Sequence, residues 1–595
     1  MKLPAKPVIM GIQLLLGGVF LLILTTQTST TEYLTNLGID SLVLEGIPGA
    51  YQRYLYWLLG AVAVSLIFTA VDIHSWKVDT PKTDKNAITF YSVMGFFLFY
   101  LVLTRSLQFP WNQDDAYIDF RYVINWVNNI SFDYNPGERA MGFTSHLHLA
   151  VLTIFAFLFN SVDLPVLSQG INLGLQIISY YLTYYLVRAT TESRFAGALG
   201  AILFAIFPYN IQESIGGKET SLVTACMLTG LLAMQYGRQH LSAWSSALIV
   251  LARPEGGLWM LLSLAWSYRA EKRKALKYWL LPFLFLISVA GWLYIQFGTV
   301  VPHGLTGKSI MFYKPPFLAD MVLILRRLGD GCFVPEFIMP MNPIFSYVLD
   351  FFRLYGGTLV LLSLIKFLNR GSLRFYSISV LAYLILFSLA NPYLFPWYLA
   401  WFSLVPSLLI PVLVLKLNEL RRNSTEKKNA VAAALILVYL GAVQIVEQPT
   451  RLTPGIASVS FFWSGAYKRL VIYRKAAEKA RELDPEQKAV LAAPEIGVLG
   501  HYYRGPILDL GGLVSENIIK FGPPSKSLRV GTSLYAIIPE SIEKLKPRFL
   551  VTDGFFGKNG LYKAAFFKED YKVAEFYPHA LWSEGIYLYE RKEEN

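Results

Sequence analysis

Residues 111–148, WNQDDAYIDFRYVINWVNNISFDYNPGERAMGFTSHLH, decide how the rest of this chain is read. They follow an apolar segment at 87–106 long enough to cross a bilayer, so they begin where lipid ends. One loop there gathers Asp114, Asp115, Asp119, Asp133 and Glu138 with Arg121, Arg139, His146 and His148. Two adjacent carboxylates beside a low-dielectric phase tend to share a proton or recruit a cation. That setting suits general-base chemistry at Asp114 and Asp115. It also fits capping, since Asp114 or Asp115 is a natural N-cap for a helix starting at Ala116. Phe120, Val123, Val127 and Ile130 recur at helical spacing, with Asp115, Asp119 and Tyr122 on another face, as in an amphipathic helix lying on a bilayer. NPGE at 135–138 is turn chemistry. The residues alone leave both readings open.

The motifs add to this. DDAYIDFRYVINWVNN, followed by FDYNPGERAMGFTSHLHLAVL, resembles the first large extracytoplasmic loop of a family of bacterial GT-C glycosyltransferases. That family includes the mycobacterial terminal arabinofuranosyltransferase. Its usual form is DDAYI-x-FRYA, a short gap, then NPGERVEGYTS before an apolar helix. GGKETSL at 216–222 resembles the family's SGLET-x-L, and ARPEGG at 252–257 its RPEG box. FGTVVPHGLTGKS at 297–309 resembles FGDLLPNT-x-x-AK, with His303 at the Asn position and Lys308 at the basic one. Met141 departs from the usual acidic residue, and His146 from a bulky apolar one. The similarity extends, more weakly, over most of 87–450.

The resemblance implies an inverting transferase that uses a polyprenyl-phosphate sugar donor and a cell-envelope glycan, lipid or protein acceptor. Asp114 (or Asp115) would be the base and Glu219 a second acid across the cavity. A divalent cation (Mg, Mn or Ca) held by Asp114 and Asp115 is part of that expectation. Arg253, His303 and Lys308 would meet the donor phosphate. Asp119, Arg121, Asn135, Glu138, Arg139, Thr144, His146, Glu255, Trp397 and Tyr398 would lie near substrate. Plainer roles stand beside these. Glu219 suits a first helical turn, Arg253–Glu255 could hold a helix break together, and Lys308 could snorkel at the interface. Trp397 and Tyr398, in NPYLFPWYLAW, suit an interfacial aromatic belt.

Composition sets the class. At 595 residues, 54% hydrophobic and 16% charged, the chain reads as a polytopic α-helical membrane protein. Its net charge of +12 is explained by basic loops on one membrane face, so nucleic acid is not expected as a partner. Cys226 and Cys332 suggest neither a disulfide nor a thiolate metal site. About 11 spans are expected, near 1–27, 54–74, 87–106, 165–187, 195–210, 219–237, 277–297, 345–367, 375–391, 394–415 and 429–447. The basic loops put the N-terminus inside a cytoplasmic (inner) membrane and the acid loop outside. Residues 146–162 break the parity and read as re-entrant or interfacial. Residues 240–268, broken at Arg253–Gly257, read as a hairpin; intramembrane Arg and Glu are functional candidates by default.

Three domains follow: an N-terminal two-helix addition (1–86), a GT-C-like region (87–448) with outer loops 107–145 and 298–344, and an extracytoplasmic α/β domain (449–595). In the last, 467–483 reads as an amphipathic helix. Residues 489–493, 506–510, 548–553, 572–577 and 586–592 read as strands, with a helix at 539–545. Acceptor binding and packing are both open roles for it. A lipid-linked saccharide flippase is a second function class, but the acids cluster at one surface and no internal repeat stands out. A non-catalytic assembly factor is the third.

Overall fold

The structure is a computed structural model. It describes residues 84–106, 112–159, 163–214, 216–312, 317–333, 354, 357–358, 371–390, 392, 394–421, 461–530, 534–578 and 585–592. The expected spans at 1–27, 54–74, 345–367 and 429–447, and the N-terminal addition as a whole, lie outside them, apart from a few residues.

The helical region runs α1 (Asp84–Ser106), α2 (Asp114–Val127), α3 (His146–Leu158), α4 (Leu164–Thr191), α5 (Arg194–Ile206), α6 (Pro208–Ser214), α7 (Thr220–Gln235), α8 (Gln239–Ala252), α9 (Gly256–Glu271), α10 (Ala275–Phe297), α11 (His303–Met311), α12 (Ala319–Phe333), α13 (Gly371–Ala390) and α14 (Val405–Arg421). Helix α4 packs against α5 and α7, α7 against α8, and α14 against α5. One apolar core joins them, with Phe99, Tyr180, Phe204, Met227, Trp259, Tyr383 and Trp401 among its buried members.

Among the described residues three helical stretches are long and apolar enough to cross a membrane: Gly256–Phe297, Gly371–Ala390 and Trp397–Leu415. The first is two helices, α9 and α10, joined by a basic 3-10 turn at Lys272–Lys274. Helix α10 leaves Leu280, Leu284, Ile287, Trp292 and Ile295 exposed, a face suited to hydrocarbon. The expected span at 394–415 is interrupted: a 3-10 helix (Pro396–Phe402), with Pro at its start, precedes α14. The hairpin at 240–268 is present as α8 and α9, with Arg253 and Glu255 in the break between them.

Helix α2 is not an amphipathic helix lying on a surface. Residues Ala116 through Val123 are all buried, because the C-terminal domain covers the side that the helical bundle does not. Its N-cap is Gln113, without a side-chain cap.

The C-terminal domain opens with α15 (Phe461–Leu483). A five-stranded sheet follows, in the order β2-β1-β5-β7-β6. Strands β1 (Leu491–Ala493), β2 (Ile507–Asp509) and β5 (Phe549–Asp553) are parallel, and β6 (Tyr571–Tyr577) and β7 (Ile586–Arg591) complete it antiparallel. A small hairpin, β3 (Arg529–Val530) and β4 (Leu534–Tyr535), stands apart. Strands β1, β2 and β5 are buried on both faces, which explains their continuous apolar runs. Helix α16 (Gly497–Tyr503) follows β1 and packs on α2. A second core unites Phe120, Tyr122, Tyr134 and Phe143 of the acid loop with Tyr473, Leu499, Ile507 and Phe549. The two units therefore share one hydrophobic interior rather than touching at a rim.

Candidate active site

Adjacent in sequence, Asp114 and Asp115 have different surroundings. Asp114 accepts the backbone N–H groups of Gly497 (3.0 Å) and Val498 (2.9 Å), capping α16 across 383 residues of chain. Gly497 is required for this approach, since a Cβ there would strike the Asp114 carbonyl. Burial and the nearby Glu495 carboxylate raise the Asp114 pKa to about 7, against the pull of the Val498 N–H. Glu495 is itself held by Arg469 (2.7 Å) and Tyr473 (2.5 Å). Asp114 thus caps a helix, but not the one its position suggested. Each of its oxygens accepts one backbone N–H, and Asp114 also lines, together with Asp115, the cavity beneath the C-terminal domain.

Arg121, expected near substrate, belongs to the same seam. Its guanidinium donates to the carbonyls of Tyr134, Gly500 and Gly505 (2.8 Å each) and to Asn135 (3.2 Å), and stacks on the Tyr134 ring. Asn135 also donates to Ile507 O and accepts from Ile507 N–H. Glu138 accepts from Asn135, and Glu138 and Arg139 are exposed outside the cavity. Arg121 and Asn135 hold the NPGER turn and the C-terminal domain together, with Glu138 on Asn135, and none of the four lines the chamber. His303 is likewise occupied. Its Nδ1 accepts the Met141 N–H (2.8 Å) and its Nε2 faces Glu516 at 2.6 Å, tying α11 to the acid loop and the C-terminal domain. His146 packs edge-on against Phe143.

The chamber opens along α2 beside these contacts, and Asp114 borders its upper part. A cavity is lined by Asp115, Asp119, Thr144, Lys218, Lys308, Trp397 and Tyr398. A second, under the C-terminal domain, shares Asp115, Ile118, Lys308 and Leu513 with it. Residues from five distant stretches therefore meet at one place. Trp397 and Tyr398 face this interior rather than forming an interfacial belt. Tyr398 lies between two cations, Arg253 at 4.3 Å and Lys308 at 5.9 Å from its ring centre, and Trp397 stacks on Phe395. Lys308 also sits over Phe395 at 4.6 Å. A snorkelling lysine would point away from such rings, so the structure assigns Lys308 to the chamber.

Behind it is a buried charge cluster. Arg253 bridges Glu219 and Glu255, each at 2.5 Å. Lys218 Nζ lies 3.7 Å from Asp119 and 3.7 Å from Glu219. His148 Nδ1 is 3.5 Å from Asp119. Asp119 Oδ2, Glu219 Oε2 and both His148 ring nitrogens have no hydrogen-bond partner among the described residues. Asp119, His148 and Glu219 bring ligand atoms within 4.8 Å of one another, a donor set of the kind a divalent cation accepts. The Lys218 ammonium stands among these atoms and competes for the same place, so the set does not fit a dication while Lys218 is charged.

Lys218 is the site residue that sequence reasoning did not single out, and His148 is named in the acid loop without a role. Lys218 was visible as a departure, a lysine where the family box has leucine. His148 was visible only through spacing, two residues from His146 and hence on another face of α3.

No family model matches this sequence, and no curated protein matches it. Among solved structures it aligns with the Archaeoglobus fulgidus oligosaccharyltransferase in the apo form (TM-score 0.49, 16% identity, 85% of this chain and 75% of that chain). Archaeal oligosaccharyltransferase AglB from Archaeoglobus fulgidus, in complex with an inhibitory peptide and a dolichol-phosphate, gives a TM-score of 0.47 at 13% identity, over 85% and 74%. ArnT from Cupriavidus metallidurans bound to undecaprenyl phosphate gives 0.46 at 11% identity, over 85% and 98%. All of these scores lie below 0.5, so the functional reading rests on the site itself.

Proposed function

We propose that this chain is an inverting glycosyltransferase that moves a sugar from a polyprenyl-phosphate donor to an acceptor hydroxyl at the outer face of a membrane. One observation carries the reading: every box that resembles the GT-C family contributes a side chain to the chamber or its charged wall. Asp115 and Thr144 come from the acid loop, Glu219 from GGKET, Arg253 from ARPEGG and Lys308 from the 297–309 element.

Asp115 is the base in this reading, because Asp114 is committed to the α16 backbone and Glu219 to Arg253. The acceptor O–H gives its proton to Asp115 while its oxygen attacks the anomeric carbon. The bond from that carbon to the phosphate oxygen breaks, and polyprenyl phosphate leaves with the electron pair. Lys308 is placed to receive the phosphate charge, with Arg253 behind Tyr398. Trp397 and Tyr398 offer ring faces to sugar or to the first isoprene units.

General-base catalysis contributes ~10²–10⁴-fold, so Asp115→Asn should lose that much transfer with an unchanged melting temperature. Purified protein offered a panel of polyprenyl-phosphate pentoses and hexoses checks it. Near-normal transfer by Asp115→Asn, with loss confined to a well-folded Asp114→Asn, would move the base to Asp114. Transport of lipid-linked sugar without transfer would sink the enzyme reading.

A further inference from the structure

We propose that Lys218 is the resident cation of this site: its ammonium fills, between Asp119 and Glu219, the position a divalent ion would take, and the chamber needs no such ion. The inference deepens the proposed function, but its first readout is independent of activity.

The lysine is built in rather than draped. Gly217, at φ +80, turns the chain so tightly against α2 that a Cβ would collide with Asn112 and Ala116. The carbonyls of Gly217 and Lys218 accept from Ser168 (3.2 Å) and Asn172 (2.9 Å) of α4. The side chain that follows is only 9% exposed and has carboxylates on two sides. A buried ammonium is tolerated when it is paired in this way. A dication ligated by Asp119 and Glu219 would sit ~2.0–2.6 Å from each oxygen, pressed directly against Lys218 Nζ.

Charge points the same way. Among the directly ion-paired side chains, Asp119, Glu219 and Glu255 outnumber Lys218 and Arg253 by one. Removing Lys218 raises that excess to two, with the Asp115 carboxylate lining the same cavity, and so creates the demand for a cation that the lysine now meets. Asp119 Oδ2 and Glu219 Oε2, the oxygens that face Lys218 Nζ, and the His148 ring nitrogens are then ligands that the lysine keeps from use.

Mn²⁺ binding to the purified full chain in detergent, followed by electron paramagnetic resonance, tests this. Wild type should bind no Mn²⁺ that depends on Asp119. Lys218→Met, and Lys218→Leu as a second variant, should each gain one site that Asp119→Asn removes again. In the transfer assay wild type should survive EDTA, whereas Lys218→Met should lose activity in EDTA and recover it with Mn²⁺. Wild-type Mn²⁺ binding at one equivalent, abolished by Asp119→Asn, would overturn the proposal. So would folded lysine variants, verified by melting curve, that bind none. If no transfer is found for any donor, the binding arm still decides.

Discussion

The two faces of α2 make opposite use of the same kinds of residue. On the seam face, Asp114, Arg121 and Asn135 direct almost every polar atom to a backbone partner in the C-terminal domain. On the chamber face, Asp119, His148 and Glu219 leave oxygens and nitrogens without a hydrogen-bond partner among the described residues, held only by the longer contacts of Lys218 and of each other. Saturation marks the seam as structural, since a satisfied buried network rigidifies and offers nothing to a ligand. Unspent hydrogen-bonding capacity marks the chamber as functional. Motif membership alone did not separate them, since the DDAYI and NPGER boxes feed both faces.

The contrast predicts that stability and transfer come apart. The largest effect on folding belongs to Arg121→Ala, which removes four buried hydrogen bonds, although Tyr134 O, Gly500 O and Asn135 Oδ1 each keep a second donor; ~3 kcal/mol is expected, read as a lower thermal midpoint and easier proteolysis between the units. An Arg121→Ala protein that melts normally yet fails in transfer would return this residue to the substrate. Lys308→Met should do the reverse. Losing one charge-assisted contact to phosphate is worth ~1.5–3 kcal/mol, a loss of about 10–100-fold in kcat/KM with the melting temperature unmoved. Gly497→Ala probes the meeting of the faces. Overpacking against the Asp114 carbonyl should cost ~1–3 kcal/mol, with transfer falling as Asp115 is displaced beside it.

The smallest effect is a pH dependence. Asp114 is raised to about 7 in the folded protein, and Asp509 and Asp553, both buried, to about 6. A carboxyl that holds its proton more tightly when folded favours the fold at low pH. Its contribution is full below about 4, falls as pH rises toward 7, and is flat above. The thermal midpoint should follow that curve, and Asp114→Asn should remove part of the slope, leaving the share due to Asp509 and Asp553. An unchanged slope in that variant would mean Asp114 is ionised in the seam throughout.

Much of this was legible beforehand. All five strands of the C-terminal sheet and the helix at 539–545 were readable because apolar runs there are bounded by Pro, Gly and charged residues. The α8–α9 break was announced by Pro254 and Gly256. What could not be read was direction. Asp114 and Asp115 are neighbours in every pattern, and only the approach of Gly497, far along the chain, gives them different tasks. Arg121 reads as a residue near substrate until carbonyls from residues 500 and 505 claim its donors. Trp397 and Tyr398 share their composition with a lipid-interface belt, and the 3-10 turn that rotates them inward depends on packing against Arg253 and Phe395.

The joint between Asp114 and Gly497 also bears on biosynthesis. A ribosome delivers α2 to the membrane long before it makes the glycine that lets the covering helix settle there, 383 positions later. Until that piece arrives, the acids have one wall and no roof, and Asp114 has only water to hold. A nascent or prematurely terminated product would therefore be an open cleft, and under the proposed function it would leave a bound sugar open to water until the closing segment is made.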